Sequence, residues 1–257
     1  MRIVLLTGFP RIFEGPLDEG MIRVAREKGL VDLRVVSLRD HADDNHRTID
    51  DYPYGGGPGM ILKVEPVARA VDALPPMERG RRETILLTPQ GERLTQAAVH
   101  EIAGAQEVVL LSGRYKGIDE RIRTFVTREV SIGDYILSGG EIAALVLVDA
   151  VVRLIPGVLG DHDSARGDSF EEGILDCSYY TRPERFRGLE VPPVLLSGNH
   201  KEIERWRRRD ALARTLVRRP DLLDRAELTE EDRRMLEDLG GDAPSPRDPA
   251  PSRRREE

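Results

Sequence analysis

The sequence predicts an α/β fold, a mostly parallel sheet with helices on both faces. Three observations carry that reading. Apolar runs of strand length alternate with segments of helical period along the first 154 residues. Three of the strand-like runs end in a glycine- or proline-bearing corner: "LLTPQG" (86–91), "LLSGRYKG" (110–117) and "IGDYILSGG" (132–140). Finally, 257 residues, 39% of them hydrophobic, suffice for one large core or two small ones.

In chain order, 3–7 reads as a buried strand. Residues 15–30 read as a helix, because Leu17, Met21, Val24 and Ala25 share one face and Gly29 stops it. A second strand follows at 31–38, then a polar loop over 39–60 and a helix over 61–74. The strand in 81–91 is expected to stop at Thr88-Pro89, and 94–104 is a helix. Then come a strand (107–117), a short helix (118–126), a strand (127–135) and a helix over 140–154. Residues 157–193 carry no regular period and are too long for an ordinary connector. A basic helix over 198–219 and a small one over 228–239, N-capped by Thr229, form a C-terminal α-domain. The Pro- and charge-rich 240–257 reads as a disordered tail. The domains expected are 1–160, a connecting loop over 161–172, and 173–239.

Composition removes some functions. Net charge is −7, so the whole chain does not attract polyanions and any such binding needs a local basic patch. A single cysteine, Cys177, forbids an internal disulfide and fits a reducing, cytoplasmic setting. The N-terminal apolar run is broken by Gly8 and Pro10, unlike a signal peptide. The longest apolar stretch is interrupted by Glu141, Asp149 and Arg153, so no membrane span is expected.

In a parallel sheet all carboxyl ends of the strands share one edge, and ligands bind there. Three corners at that edge would form one pocket lined by main-chain groups. A dinucleotide is disfavoured: no G-x-G-x-x-G follows the first strand, and no G-x-x-x-x-G-K-[ST] occurs. Arg114 and Lys116 are the only cations in the corners. A neutral, glycine-lined cleft suits an adenosine without phosphates, read by backbone hydrogen bonds.

"YGGGPGM", "LTPQG", "LLSGRYKGIDERI", "SIGDYILSGGE", "DAVVRLIPGVLG" and "DSFEEGILDCSYYTRPERFRGLEVPPVLLSGNHKEIERWR" resemble, in order, the bacterial tRNA (guanine-N1)-methyltransferases of the SPOUT class. The resemblance runs from Met1 to about Leu239. It implies a trefoil knot in the sheet region, which periodicity could not have revealed, because knots are very rare. It implies S-adenosylmethionine in the three corners, held by Leu87, Pro89, Gly113, Tyr115, Gly117, Ile132, Gly133, Tyr135, Leu137, Gly139 and Gly140. Two positions depart from the family pattern: Lys116 replaces a usual glutamate and Ala143 a common proline.

The chemistry implied is methylation of guanine N1. That nitrogen carries a proton, and losing it spreads negative charge onto O6, so a base near N1 and a cation near O6 are wanted. By resemblance these are Asp168 and Arg153. A free aspartate, with a pKa of about 3.9, is a weak base at neutral pH. Burial of Asp168, or help from Arg153 at the purine, would make it effective. Mg²⁺ is implied as an assisting ion, without a dedicated metal cage in the sequence.

The substrate implied is tRNA, at the guanine immediately 3′ of the anticodon and preceded by another guanine. That base must leave its stack to react. Asp50 and Gly59, flanking or within the glycine loop 54–60, are expected to contact the pair. The loop 157–172 is expected to order when RNA binds. Residues 199–219 hold eight Lys/Arg and three acids, a net +5 suited to phosphates; Lys201, Arg205, Arg207, Arg208 and Arg214 are the expected contacts. The resemblance also implies a homodimer whose active site uses both subunits. His41 and His46 match no metal-ligand spacing and read as a polar loop, and Cys177 reads as packing.

Overall fold

A computed structural model describes residues 1–77, 79–159 and 167–241. Part of the expected connecting loop (161–166) and most of the expected tail (242–257) lie outside them. The chain divides into two compact units, Met1–His162 and Asp163–Glu257.

The first unit is built on five parallel strands in the order β2-β1-β6-β5-β8. They are β1 (Arg2–Thr7), β2 (Asp32–Ser37), β5 (Arg82–Arg93), β6 (Glu107–Ser112) and β8 (Arg128–Ser131). Alternation along each strand splits the core in two. Ile3, Leu5, Ile85, Leu87, Val108, Leu110 and Val130 face one side, with α1 (Gly20–Glu27), α3 (Gln96–Ala103) and α4 (Glu141–Val152). Val4, Leu6, Leu86, Val109 and Leu111 face the other, with α2 (Val64–Asp72) and a 3₁₀ turn over Glu120–Phe125. Covering both faces explains why β6 is buried at every residue. The predicted α/β class and two-sided helical cover are what the unit shows.

Several expected boundaries are corrected. The helix expected over 15–30 is a 3₁₀ turn at Pro16–Asp18 followed by α1, because Glu19, extended at φ −125° and ψ 163°, separates them and Gly20 then opens α1 at φ +58°. Ile61–Leu62 is not the start of α2 but a short strand, β4. It pairs antiparallel with β3 (Asp50–Asp51) and parallel with β7 (Gly117–Ile118). The strand expected to end at Thr88-Pro89 resumes: Leu87 and Glu92 both stand opposite Val130, so 88–91 bulge out. Strands β6 and β8 stop earlier than expected, at Ser112 and Ser131. The backbone soon turns through positive φ at Tyr115 (+64°) and Gly133 (+152°).

In the second unit a small core of Ile174, Cys177, Ala211, Leu212 and Met235 is packed by α6 (His200–Arg218) and α8 (Glu230–Gly241). Two four-residue helices, α5 (Pro193–Leu196) and α7 (Pro220–Leu223), precede and follow α6. The stretch read as irregular contains a hairpin, β9 (Arg185–Phe186) with β10 (Leu189–Glu190). The expected Thr229 cap is present and reciprocal: Thr229 Oγ1 accepts from the Asp232 amide at 3.1 Å, and the Thr229 amide donates to Asp232 Oδ2 at 2.9 Å. Among the described residues no helix is long and apolar enough to cross a membrane.

Candidate methyl-donor cavity and RNA-binding residues

The bulge within β5 and the carboxyl ends of β6 and β8 form the three corners, and the second and third meet. The Gly140 amide donates to the Gly113 carbonyl at 2.8 Å, and Arg114 forms an isolated antiparallel bridge with Gly139. The contact leaves no room for side chains. A Cβ on Gly140 would lie 2.8 Å from Ser112 Cα and 3.3 Å from Leu87 Cβ; one on Gly113 would lie 3.3 Å from the Leu87 carbonyl oxygen. These glycines are needed because backbone approaches backbone. Gly133 is needed for its φ, and its absent Cβ makes room for the Tyr135 ring.

Together the corners line a half-open cavity of about 490 Å³. Its lining contains all eleven residues expected there from sequence: Leu87, Pro89, Gly113, Tyr115, Gly117, Ile132, Gly133, Tyr135, Leu137, Gly139 and Gly140. Lys116 and Ala143, the two departures, line it as well. Ser112 Oγ, buried beside Gly140, makes no hydrogen bond within the protein. The charges in the wall are mostly neutralised internally. Arg123 pairs with Glu120 at 2.8 Å and with Glu129, and Arg114 pairs with Glu141 at 3.2 Å. The volume suits a nucleoside-sized ligand, and the scarcity of unpaired cations suits one without phosphates. The residues present thus fit S-adenosylmethionine.

The small sheet β3-β4-β7 ties the glycine loop to the second corner. The Lys116 amide donates to the Met60 carbonyl at 3.0 Å, and a Cβ on Gly59 would lie 3.1 Å from that of Lys116. Burial pushes the Tyr115 phenol up, and the neighbouring Asp50 carboxylate pushes it further. Asp50 and Gly59 therefore stand next to the cavity's second corner, although they lie over fifty positions from it in sequence. Tyr115 holds this place in a left-handed conformation that non-glycine residues seldom adopt; such outliers gather at functional sites.

Arg153, exposed, caps the carboxyl end of α4 in the first unit. Asp168, partly exposed, opens a turn in the second, its carbonyl accepting from the Glu171 amide at 3.2 Å. The expected RNA contacts on α6 divide into two groups. Lys201, Arg205 and Arg207 are exposed. Arg208 and Arg214 take part in the packing of the second unit. Arg208 donates to Asp232 at 2.8 and 3.0 Å and to Glu172 at 2.7 Å, and Arg214 donates to Ser178 Oγ at 3.0 Å.

The polar-loop reading of His41 and His46 agrees with their bonds: the His41 carbonyl accepts from Arg69 at 2.8 Å, and the His46 amide donates to Asp44 at 2.9 Å. Burial and Asp176 both push the Cys177 thiol up, the condition of an unreactive packing cysteine. Among the described residues no cluster of three or more His, Cys, Asp or Glu could hold a metal ion, so no step is assigned to Mg²⁺. Sequence reasoning missed Glu141, treating it only as an interruption of an apolar run. Its signal was a carboxylate at the start of a helix that is otherwise apolar for seven residues.

Comparison with known proteins places this geometry in a lineage. A family model described as tRNA (Guanine-1)-methyltransferase TrmD matches residues 1–225. Proteins named tRNA (guanine-N(1)-)-methyltransferase are similar over nearly their whole length. That of Dictyoglomus turgidum is 51% identical over 239 residues, covering 93% of this chain and 96% of the relative. That of Moorella thermoacetica is 53% identical over 241 residues, with the same coverage of both chains, 93% and 96%. That of Geobacter sulfurreducens is 54% identical over 237 residues, covering 92% and 96%. Kinship of that extent, running through every corner of the cavity and into the basic helix, is conclusive: the chain belongs to the TrmD family of tRNA (guanine-1)-methyltransferases.

Proposed function

We propose that this protein transfers a methyl group from S-adenosylmethionine to N1 of the guanine immediately 3′ of the anticodon in tRNAs that carry a guanine before it. The observation that carries the reading is the convergence of three corners on one cavity in a member of this family. The bound donor would supply an electrophilic methyl group. Backbone groups of Leu87, Gly113, Ile132 and Gly140 orient the ligand, and the close packing of the corners excludes water around it.

Asp168 takes the N1 proton and Arg153 stabilises the charge that gathers on O6. Removing the proton is the demanding step, because neutral guanine N1 has no lone pair to offer; a cation at O6 lowers the cost of the anion that forms. Asp50 and Gly59 read the guanine pair beside the second corner. Lys201, Arg205 and Arg207 hold backbone phosphates, which fix register without reading sequence. The path of the chain after β8 supports a knot. Gly139 and Gly140 press against the β6–β7 corner, and α4 then packs on β6 and β1, across the sheet from edge strand β8.

The test is to incubate the protein with labelled S-adenosylmethionine and bulk tRNA and map the methyl by mass spectrometry of nuclease fragments. N1-methylguanosine 3′ of the anticodon is expected. Methyl elsewhere, or none, overturns the reading. Asp168→Asn should lower single-turnover methyl transfer by at least ~100-fold, the size of a general-base contribution. Product formed at the wild-type rate would remove Asp168 from the role.

A further inference from the structure

One buried charge takes no part in the chemistry above. Glu141 is 1% exposed, although it is a carboxylate. It accepts from Thr7 Oγ1 at 2.8 Å and from Arg114 Nε at 3.2 and 3.3 Å. Thr7 ends β1, Arg114 belongs to the second corner, and Glu141 follows the third. Three stretches far apart in sequence are joined at this carboxylate. The third corner lies directly on the pair: a Cβ on Gly139 would meet Glu141 Oε2 at 2.4 Å and Arg114 Nε at 2.6 Å. Arg114 in turn stacks over the Phe9 ring, 4.0 Å from its centroid.

A buried ion pair of this kind rarely adds stability over an apolar replacement, because desolvation offsets the attraction. Its position suggests another use. Arg114 lines the cavity, whereas Glu141 stands behind the wall. Without the carboxylate, the cavity would present an uncompensated guanidinium. A sulfonium ligand is a cation and would be repelled by it.

We infer that Glu141 is a positioning residue that holds Arg114 against the third corner and cancels its charge, so that the cavity accepts a cationic methyl donor. This rests on the methyl-donor reading of the cavity. It makes a prediction that a purely structural role does not. Loss of the carboxylate must harm binding of S-adenosylmethionine more than binding of S-adenosylhomocysteine, which lacks the sulfonium charge.

The experiment is calorimetric titration of both ligands into wild type, Glu141→Gln and Arg114→Gln/Glu141→Gln. Glu141→Gln should weaken S-adenosylmethionine roughly 10-fold more than S-adenosylhomocysteine, as expected for two like charges sharing a partly desolvated cavity. The double variant, with both charges removed, should return the ratio of the two affinities to near that of wild type. Equal weakening of both ligands, or none, overturns the inference and leaves the cofactor reading intact. Should Glu141→Gln fail to fold, Thr7→Val, which deletes the hydroxyl that steers the carboxylate, carries the same readout at roughly 3-fold. If wild type binds neither ligand, the cofactor reading falls, and the inference with it.

Discussion

At the scale of single residues, the cavity is shaped as much by what is missing as by what is present. Gly140 has no room for a methyl group, since the nearest atoms are backbone atoms of Ser112 and Gly113, at 2.8 and 3.1 Å. Backbone cannot rotate away as a side chain can. Gly140→Ala should therefore cost about 1–3 kcal/mol of stability. It should also weaken S-adenosylhomocysteine binding by at least ~10-fold, because the second and third corners must part to admit the methyl. Chemical denaturation and calorimetry on the same sample check both; wild-type values for both would show that the corners are not in contact as described. Tyr115 is the complementary case, a bulky side chain kept at φ +64°. Its ring packs into the core on one side of the sheet, while its backbone turns the second corner. Such roles were legible only in part. The string "SGRYKG" announced a turn, but nothing in it announced that Asp50 would sit beside the phenol.

At the scale of elements, helix α6 packs the second unit and is also the helix proposed to hold phosphates. Its arginines look alike in one dimension, yet the packing sorts them. Arg208 is tied to Asp232, whose carboxyl it holds down at about 2. The sign follows: a depressed carboxylate contributes stability that is complete above the usual aspartate range near 4 and is lost as pH falls through about 2. The contribution is about 2 kcal/mol at neutral pH. The second unit should therefore lose stability between pH 4 and 2, as reported by the fluorescence of Trp206 on α6, the chain's single tryptophan. Asp232→Asn should flatten that dependence; an unchanged acid profile in the variant would show that the pair does not govern it. Lys201, Arg205 and Arg207, by contrast, should leave stability unchanged when replaced together by alanine. They should reduce the slope of log affinity for tRNA against log salt by roughly two to three. A slope equal to wild type would place the phosphates elsewhere.

At the scale of the whole molecule, α4 stands out because it is apolar nearly all round. One face is buried against the sheet, yet Ile142 and Val146, one turn apart, are 51% and 44% exposed on the other. A helix of that kind is normally covered on both sides. This supports the homodimer proposed by resemblance, with a second copy of the chain as the cover. Val146→Glu should convert a dimer to a monomer in sedimentation or light scattering and lower methyl transfer in step. A variant that stays dimeric would move the interface away from α4. A monomer with full activity would remove the shared active site from the reading.

Sequence alone determined the parallel α/β class, because strand and helix periodicities are local and the polar corners interrupt them visibly. It also marked the three corners, since glycine and proline leave a trace wherever the backbone must turn or be approached. What only the tertiary structure decided are the pairings between distant stretches. The strands at 50–51, 61–62 and 117–118 are two residues each and carry no period of their own. Arg208 is tied into the packing because Asp232, 24 positions away, reaches it. Glu141 meets Thr7 across 134 positions. A charge's role depends on its partner and on the water excluded around it, and neither is written in the residues that flank it.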